Sequence, residues 1–103
     1  MILNKGDEQF LRHAMRCLGI SELHVNMSDS KAKWPDIWIS GNVITVTAEW
    51  ARQNTTERRK RLVHECLHLL GLNHGKIDGL EYSTYPAKDK YSMKVYRKLI
   101  RWV

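Results

Sequence analysis

Apolar residues recur every three to four positions near the start of the chain, as in a helix, and every second position after that, as in a strand. Between residues 6 and 18 the apolar positions repeat at i, i+3, i+4 and i+7, which predicts an amphipathic helix that Gly19 ends. Residues 20–27 alternate apolar and polar side chains, as a half-buried strand does, and residues 28–35 predict a loop. The chain therefore begins with a helix followed by a strand.

A second region rich in β-branched residues spans residues 36–50 and predicts a β-hairpin. Gly41 and Asn42 lie between its two halves, and Gly-Asn is an accepted two-residue hairpin turn. Together with the first strand, the hairpin predicts a small sheet of three or more strands.

The next helix is predicted from its two ends. Asn54 is a suitable N-cap, and Glu57 three residues later completes a variant of the capping box. The helix is expected to run to about Leu70, because Gly71 is well suited to end it.

The last third of the chain has a weaker pattern. Residues 73–89 predict irregular structure, and a final helix is expected to begin near Ser92. Its apolar face consists of Val95, Tyr96, Leu99 and Ile100. The whole predicts an α+β fold over residues 1–103, a single domain whose small mixed sheet packs against the first and second helices.

Composition limits the class of protein. The hydrophobic share of 43% and charged share of 27% are ordinary for a globular domain, and no segment is apolar for long enough to cross a bilayer. The first ten residues lack the basic and apolar regions of a signal peptide, and Cys17 and Cys66 are too few for a disulfide framework. We expect an intracellular, cytoplasmic protein.

The strongest chemical signal lies at the end of the second helix. His64 and His68 are one helical turn apart, so both imidazoles can reach one metal ion. Glu65 lies about 100° around the helix from His64, beside such an ion and not on it. Gly71 permits a sharp turn that brings His74 back as the third ligand of one catalytic zinc ion.

Other histidines and the nearby cysteine fit this site less well. Cys66 points away from both helical histidines, on the side expected to pack against the sheet, and predicts a core residue. His13 and His24 stand alone in the sequence and are not expected to bind a metal.

Residues 64–74 have the pattern HExxHxxGxxH and resemble the signature of the metzincin clan of zinc metallopeptidases. Tyr91-Ser92-Met93 resembles the Met-turn of that clan, which precedes its C-terminal helix. The resemblance implies a zinc-dependent peptidase that hydrolyses peptide bonds in peptides or proteins, with Glu65 as the general base toward a zinc-activated water.

The chain departs from that clan in two respects. It is much shorter than typical members, which implies a substrate cleft that is open or completed by a partner. Some members have Tyr two residues after the Met, where this chain has Val95, and Tyr96 follows one residue later. The candidates for stabilising an oxyanion are Tyr82, Tyr85, Tyr91 and Tyr96, and the simpler interpretation of each is a packing or surface tyrosine.

The positive charge of the chain points to a second class of partner. The net charge is +6, and the densest basic run is Arg-Arg-Lys-Arg at residues 58–61. Lys94, Arg97, Lys98 and Arg101 extend the basic character into the last helix. An acidic partner or nucleic acid would suit this surface, whereas the simpler interpretation is a solvated helix face.

Two alternative functions follow from the same residues. The bacterial endoribonuclease family that matures ribosomal RNA has a similar arrangement of three histidines, but usually has Gly and Asp where this chain has Glu65 and Asn73. A zinc-stabilised binding module without turnover would need a fourth ligand, which the spacing does not provide. Trp34 and Pro35 are further candidates for the rim of a cleft.

Overall fold

The structure, a computed structural model, describes residues 3–75, 77, 97–99 and 101. Its helices and strands follow in the order α1 (Lys5–Leu18), β1 (His24–Met27), β2 (Ile37–Ser40), β3 (Val43–Val46), α2 (Ala48–Ala51) and α3 (Thr55–Leu69). The predicted α+β class and the small mixed sheet are confirmed.

The ends of α1 follow from local chemistry. The side-chain oxygen of Asn4 accepts a hydrogen bond from the backbone N–H of Asp7 at 2.7 Å, which caps the first turn. Gly19 is left-handed (φ 70°), and the N–H of Ile20 donates to the carbonyl of Met15 at 2.9 Å. The predicted helix is confirmed, with its start one residue earlier.

The three strands form a sheet in the order β1-β3-β2, in which β1 is parallel and β2 antiparallel to β3. The predicted two-residue turn at Gly41 and Asn42 joins β2 to β3. Ile37 pairs with Val46 across this hairpin, and Ile44 and Val46 are fully buried. β3 is thus the central strand, and its alternate side chains form the sheet's share of the core.

Two predicted strand bounds are wrong. The strand predicted over 20–27 begins only at His24, because pairing starts opposite Val43 and β3 offers four residues to pair with. The hairpin predicted to reach residue 50 ends at Val46. Thr47 then caps α2, its hydroxyl oxygen accepting from the N–H of Trp50 at 3.3 Å.

The core lies between the sheet, α1 and α3. α3 packs against both α1 and β2. The buried apolar residues are Leu3, Phe10, Leu11, Ala14, Leu18, Ile37, Ile44, Val46, Trp50, Leu62, Val63, Cys66, Leu67, Leu72, Ile77 and Leu99. Cys66 is fully buried, as predicted.

A buried ion pair ties α1 to α3. The carboxylate of Asp7 accepts from Nε of Arg58 at 2.8 Å and from Nε of Arg59 at 3.2 Å. The side chain of Asp7 is 2% exposed, so its charge depends on these two guanidinium groups for compensation. Two residues of the basic run are therefore engaged within the fold.

The described part of the C-terminal region agrees with a final helix. Residues 97–99 are helical, and Leu99 is fully buried. The start of that predicted helix, and Tyr91-Ser92-Met93 with it, lie outside the described residues. Among the described helices, none is long and apolar enough to cross a membrane.

Candidate metal centre

Helix α3 presents the first two histidines. The side-chain oxygen of Asn54 accepts from the N–H of Glu57 at 2.9 Å, so the predicted cap is confirmed. Nine residues into the helix, His64 and His68 lie one turn apart, with ring centroids 4.7 Å apart. Their Nε2 atoms are separated by 3.0 Å, so both rings point to the same place.

A tight C-terminal turn redirects the chain after α3. Gly71 is left-handed (φ 88°), its N–H donates to the carbonyl of His68, and the N–H of Leu72 donates to the carbonyl of Leu67 at 3.1 Å. These two bonds form a Schellman motif, which ends the helix and reverses the chain. The stop predicted at Gly71 is confirmed.

Two buried residues flank His74 in the sequence. Leu72 and Ile77 are buried on either side of it, while His74 itself is exposed. Residues 74–75 and 77 are helical, where irregular structure was predicted, and the N–H of Ile77 donates to the carbonyl of Asn73 at 3.0 Å. The prediction was wrong here because the buried side chains, and not a local pattern, stabilise this turn.

The three histidines form one cluster. The ring of His74 lies 5.4 Å from that of His64 and 4.6 Å from that of His68, centroid to centroid. One nitrogen from each ring lies within 4.8 Å of the other two. Zn–N bonds of about 2.0–2.1 Å place the nitrogens of a tetrahedral site about 3.4 Å apart, so small side-chain rotations suffice for this donor set to fit a zinc ion.

A backbone carbonyl orients His68. Its Nδ1 lies 3.0 Å from the carbonyl oxygen of Leu72. Because a carbonyl can only accept, Nδ1 carries the proton and Nε2 offers a lone pair toward His64. Metal-binding histidines commonly have this second bond, which fixes the ring and its tautomer. The turn at Gly71 thus serves two ligands at once.

We expect Gly71→Ala to weaken both the fold and the site. Alanine in the left-handed region costs about 1–2 kcal/mol, although no neighbouring atom would obstruct its methyl group. The same change shifts Leu72 and His74, so zinc affinity should fall as well. Urea unfolding and zinc titration measure the two effects. Gly41→Ala, also at positive φ (58°) but in the hairpin turn, is the control that should lower stability alone.

Glu65 is largely withdrawn from solvent beside this cluster. It is 8% exposed, and burial, followed by the negative charge of Asp36, raises its pKa to about 7. A group that titrates near neutrality is suited to exchange a proton with a substrate or water. A divalent cation held by the histidines would favour the carboxylate form and lower this pKa.

The histidines and Glu65 line one cleft of about 940 Å³. One wall is the strand β2 and the segment before it, with Trp34, Pro35, Ile37, Trp38 and Ile39. The other wall is α3, with Glu57, Lys60, Arg61, His64, Glu65 and His68. Trp34 is 77% exposed at this cleft, as the prediction for its rim suggested. The cleft therefore has an apolar side facing a charged side.

Asp36 and Arg61 bridge the two walls. Nη1 of Arg61 donates to both carboxylate oxygens of Asp36, each at 2.6 Å. This is the third arginine of the basic run to be engaged with a buried carboxylate. Of the four residues in the run, Lys60 alone makes no ion pair among the described residues.

The structure brings together all four predicted site residues, His64, Glu65, His68 and His74. Asp36 and Arg61 are cleft residues that the sequence does not predict, since neither belongs to a local motif. His13 and His24 lie apart from the cluster; they contact Cys17 and Glu22 respectively. The predicted oxyanion candidates Tyr82, Tyr85, Tyr91 and Tyr96 lie outside the described residues.

We compared the chain with protein-family models, with curated proteins and with solved structures, and none of the three comparisons found a match.

Proposed function

We propose that this protein is a zinc-dependent peptidase in which His64, His68 and His74 hold the metal and Glu65 acts as general base. The observation that supports it most is the convergence of three imidazoles beside a buried carboxylate in one cleft. The resemblance of residues 64–74 to the metzincin signature points to the same function.

The roles proposed for the zinc site and for Glu65 follow from the chemistry of their side chains. His64, His68 and His74 would hold the zinc ion, which when bound would supply a water of lowered pKa and Lewis-acid polarisation of a carbonyl group. Glu65 accepts the proton of the attacking water and delivers it to the leaving amine. The position of Glu65 supports this role, because its carboxylate is buried in the cleft that the histidines line, and this burial raises its pKa to about 7 while no cation is bound.

The walls of the cleft suit a peptide. A peptide has both apolar side chains and a polar backbone, and the cleft has an apolar wall facing a charged wall.

Both cysteines of the chain are free thiols, which suits the reducing cytoplasm.

The charges of the cleft favour peptide over RNA as the substrate. Affinity for RNA depends on cations that neutralise phosphates. Among its described residues the cleft has two cations, Lys60 and Arg61, and three acidic groups, Asp36, Glu57 and Glu65. Arg58 and Arg59 are engaged with Asp7. The endoribonuclease alternative therefore becomes an outcome of the test.

The test combines metal analysis with two substrates in parallel. Purified protein should contain one zinc ion per chain, cleave members of a mixed peptide library, and lose this activity after chelation and regain it with zinc. Structured RNA should remain intact. Chelator-sensitive cleavage of RNA without cleavage of peptides would overturn the proposal, and bound zinc without any turnover would indicate a binding module.

A further inference from the structure

The ion pair between Asp36 and Arg61 joins elements that are distant in sequence. Asp36 directly precedes β2, on the apolar wall, and Arg61 lies on α3, one turn before Glu65. The two side chains are 3% and 29% exposed, so the pair is sheltered from the solvent that weakens surface ion pairs. Among the ion pairs of the described residues, it is the one that joins the two walls.

The main chain of Asp36 is itself anchored. Its carbonyl oxygen accepts from the hydroxyl of Thr47 at 2.7 Å and from the N–H of Thr47 at 3.1 Å. Thr47 is fully buried and caps α2. The backbone of Asp36 is therefore held by Thr47, and its side chain links this segment to α3 through the ion pair with Arg61.

Arg61 reaches Asp36 through Nη1. Its Nε is buried and has no hydrogen-bond partner, and an unmatched buried donor costs free energy. A lysine could make an ion pair with Asp36 without that cost. The role proposed for Arg61 therefore rests on the ion pair itself, which Arg61→Lys would keep.

Resting on the proposed peptidase function, we propose that Asp36 and Arg61 are positioning residues for substrate. Their ion pair sets the separation between the apolar wall and α3, and thereby aligns a bound peptide with the metal centre. Neither residue belongs to the histidine cluster, so the pair should affect substrate binding without removing the metal.

The molecule provides a matched control. Asp7, like Asp36, is a buried carboxylate paired with arginines of the same run, but it ties α3 to α1 and does not line the cleft. Asp7→Asn and Asp36→Asn therefore remove the same kind of interaction from α3. Only Asp36→Asn changes a residue that lines the cleft.

The experiment measures KM and kcat on a quenched fluorescent peptide taken from those the wild type cleaves, together with zinc content. Asp36→Asn and Arg61→Gln should each raise KM about tenfold with one zinc retained, and kcat should change less than about threefold at a pH where Glu65 is ionised in every variant. Arg61→Lys should recover most of the KM lost in Arg61→Gln. Asp7→Asn should lower stability and leave KM at the wild-type value.

Amide hydrogen exchange provides a readout that needs no activity. Exchange in Ile37–Ser40 should rise more than exchange in α1 when Asp36 or Arg61 is changed, and the order should reverse in Asp7→Asn. An unchanged KM in both cleft variants, or an equal rise in Asp7→Asn, would overturn the proposal. If the wild type cleaves no peptide, the proposed peptidase function is wrong. If exchange rises equally in Ile37–Ser40 and in α1 in the cleft variants, the ion pair does not set the position of the apolar wall.

Discussion

Replacing Glu65 by glutamine is expected to lower peptide hydrolysis by about 10²–10⁴-fold while leaving zinc bound. Glutamine has nearly the same shape as glutamate, so the packing around this largely buried side chain is kept. Its amide cannot accept a proton at neutral pH, so the step assigned to Glu65 is lost. The loss should appear in kcat and kcat/KM alike, measured on the same peptide at saturating zinc.

Zinc content distinguishes this effect from damage to the metal site. Glu65 is not a member of the histidine cluster, so the glutamine variant should bind one zinc with the affinity of the wild type. Glu8→Gln, which changes an acidic residue of α1 that pairs with Arg12 away from the cleft, is the control. Full activity in Glu65→Gln would remove the general base from the mechanism.

The parts of the site that were predictable have causes that are local in sequence. Asn54 caps α3 through a residue three positions away, and Gly71 ends it through bonds within the last turn. His64 and His68 are neighbours by helical geometry alone. A single turn then brings back the third histidine, so the whole ligand set lies within one short segment of the sequence.

The parts that were missed depend on contacts between distant residues. Arg58 and Asp7 are 51 positions apart, and Arg61 and Asp36 are 25 apart. Nothing near residues 58–61 indicates that buried carboxylates pair with them, so the sequence by itself predicts a surface for an acidic partner or a solvated face. In the fold, three of its four residues stabilise the position of α3.

The same distinction explains the role of Glu65. The spacing of the motif predicts where the carboxylate lies, but its near-neutral pKa depends on burial and on the charge of Asp36, which is far away in sequence. Asp36 therefore has two effects at the cleft: it pairs with Arg61 and it disfavours the charged form of Glu65. The local motif thus specifies which chemical groups are present, and the tertiary fold sets the pKa of Glu65 among them.

Replacing His74 by alanine is expected to lower zinc affinity by at least on the order of a hundredfold, since the loss of a direct ligand should exceed the 10–100-fold typical of outer groups. His74 is exposed, so its removal leaves no cavity and should change the stability of the metal-free protein by less than about 0.5 kcal/mol. The variant thus separates metal binding from folding. Zinc titration and metal-dependent melting measure the two.

The zinc-induced rise in melting temperature should differ strongly between the wild type and His74→Ala. Zinc at a hundred times its Kd stabilises the wild type by about 2.7 kcal/mol, which raises the Tm of a chain of this size by about 10–20 °C. At the same zinc concentration His74→Ala should gain at most a few degrees. His24→Ala, which removes another exposed histidine, on β1, should keep the full shift. If His74→Ala also keeps it, the third ligand lies elsewhere, and the turn at Gly71 serves only to end α3 and to orient His68.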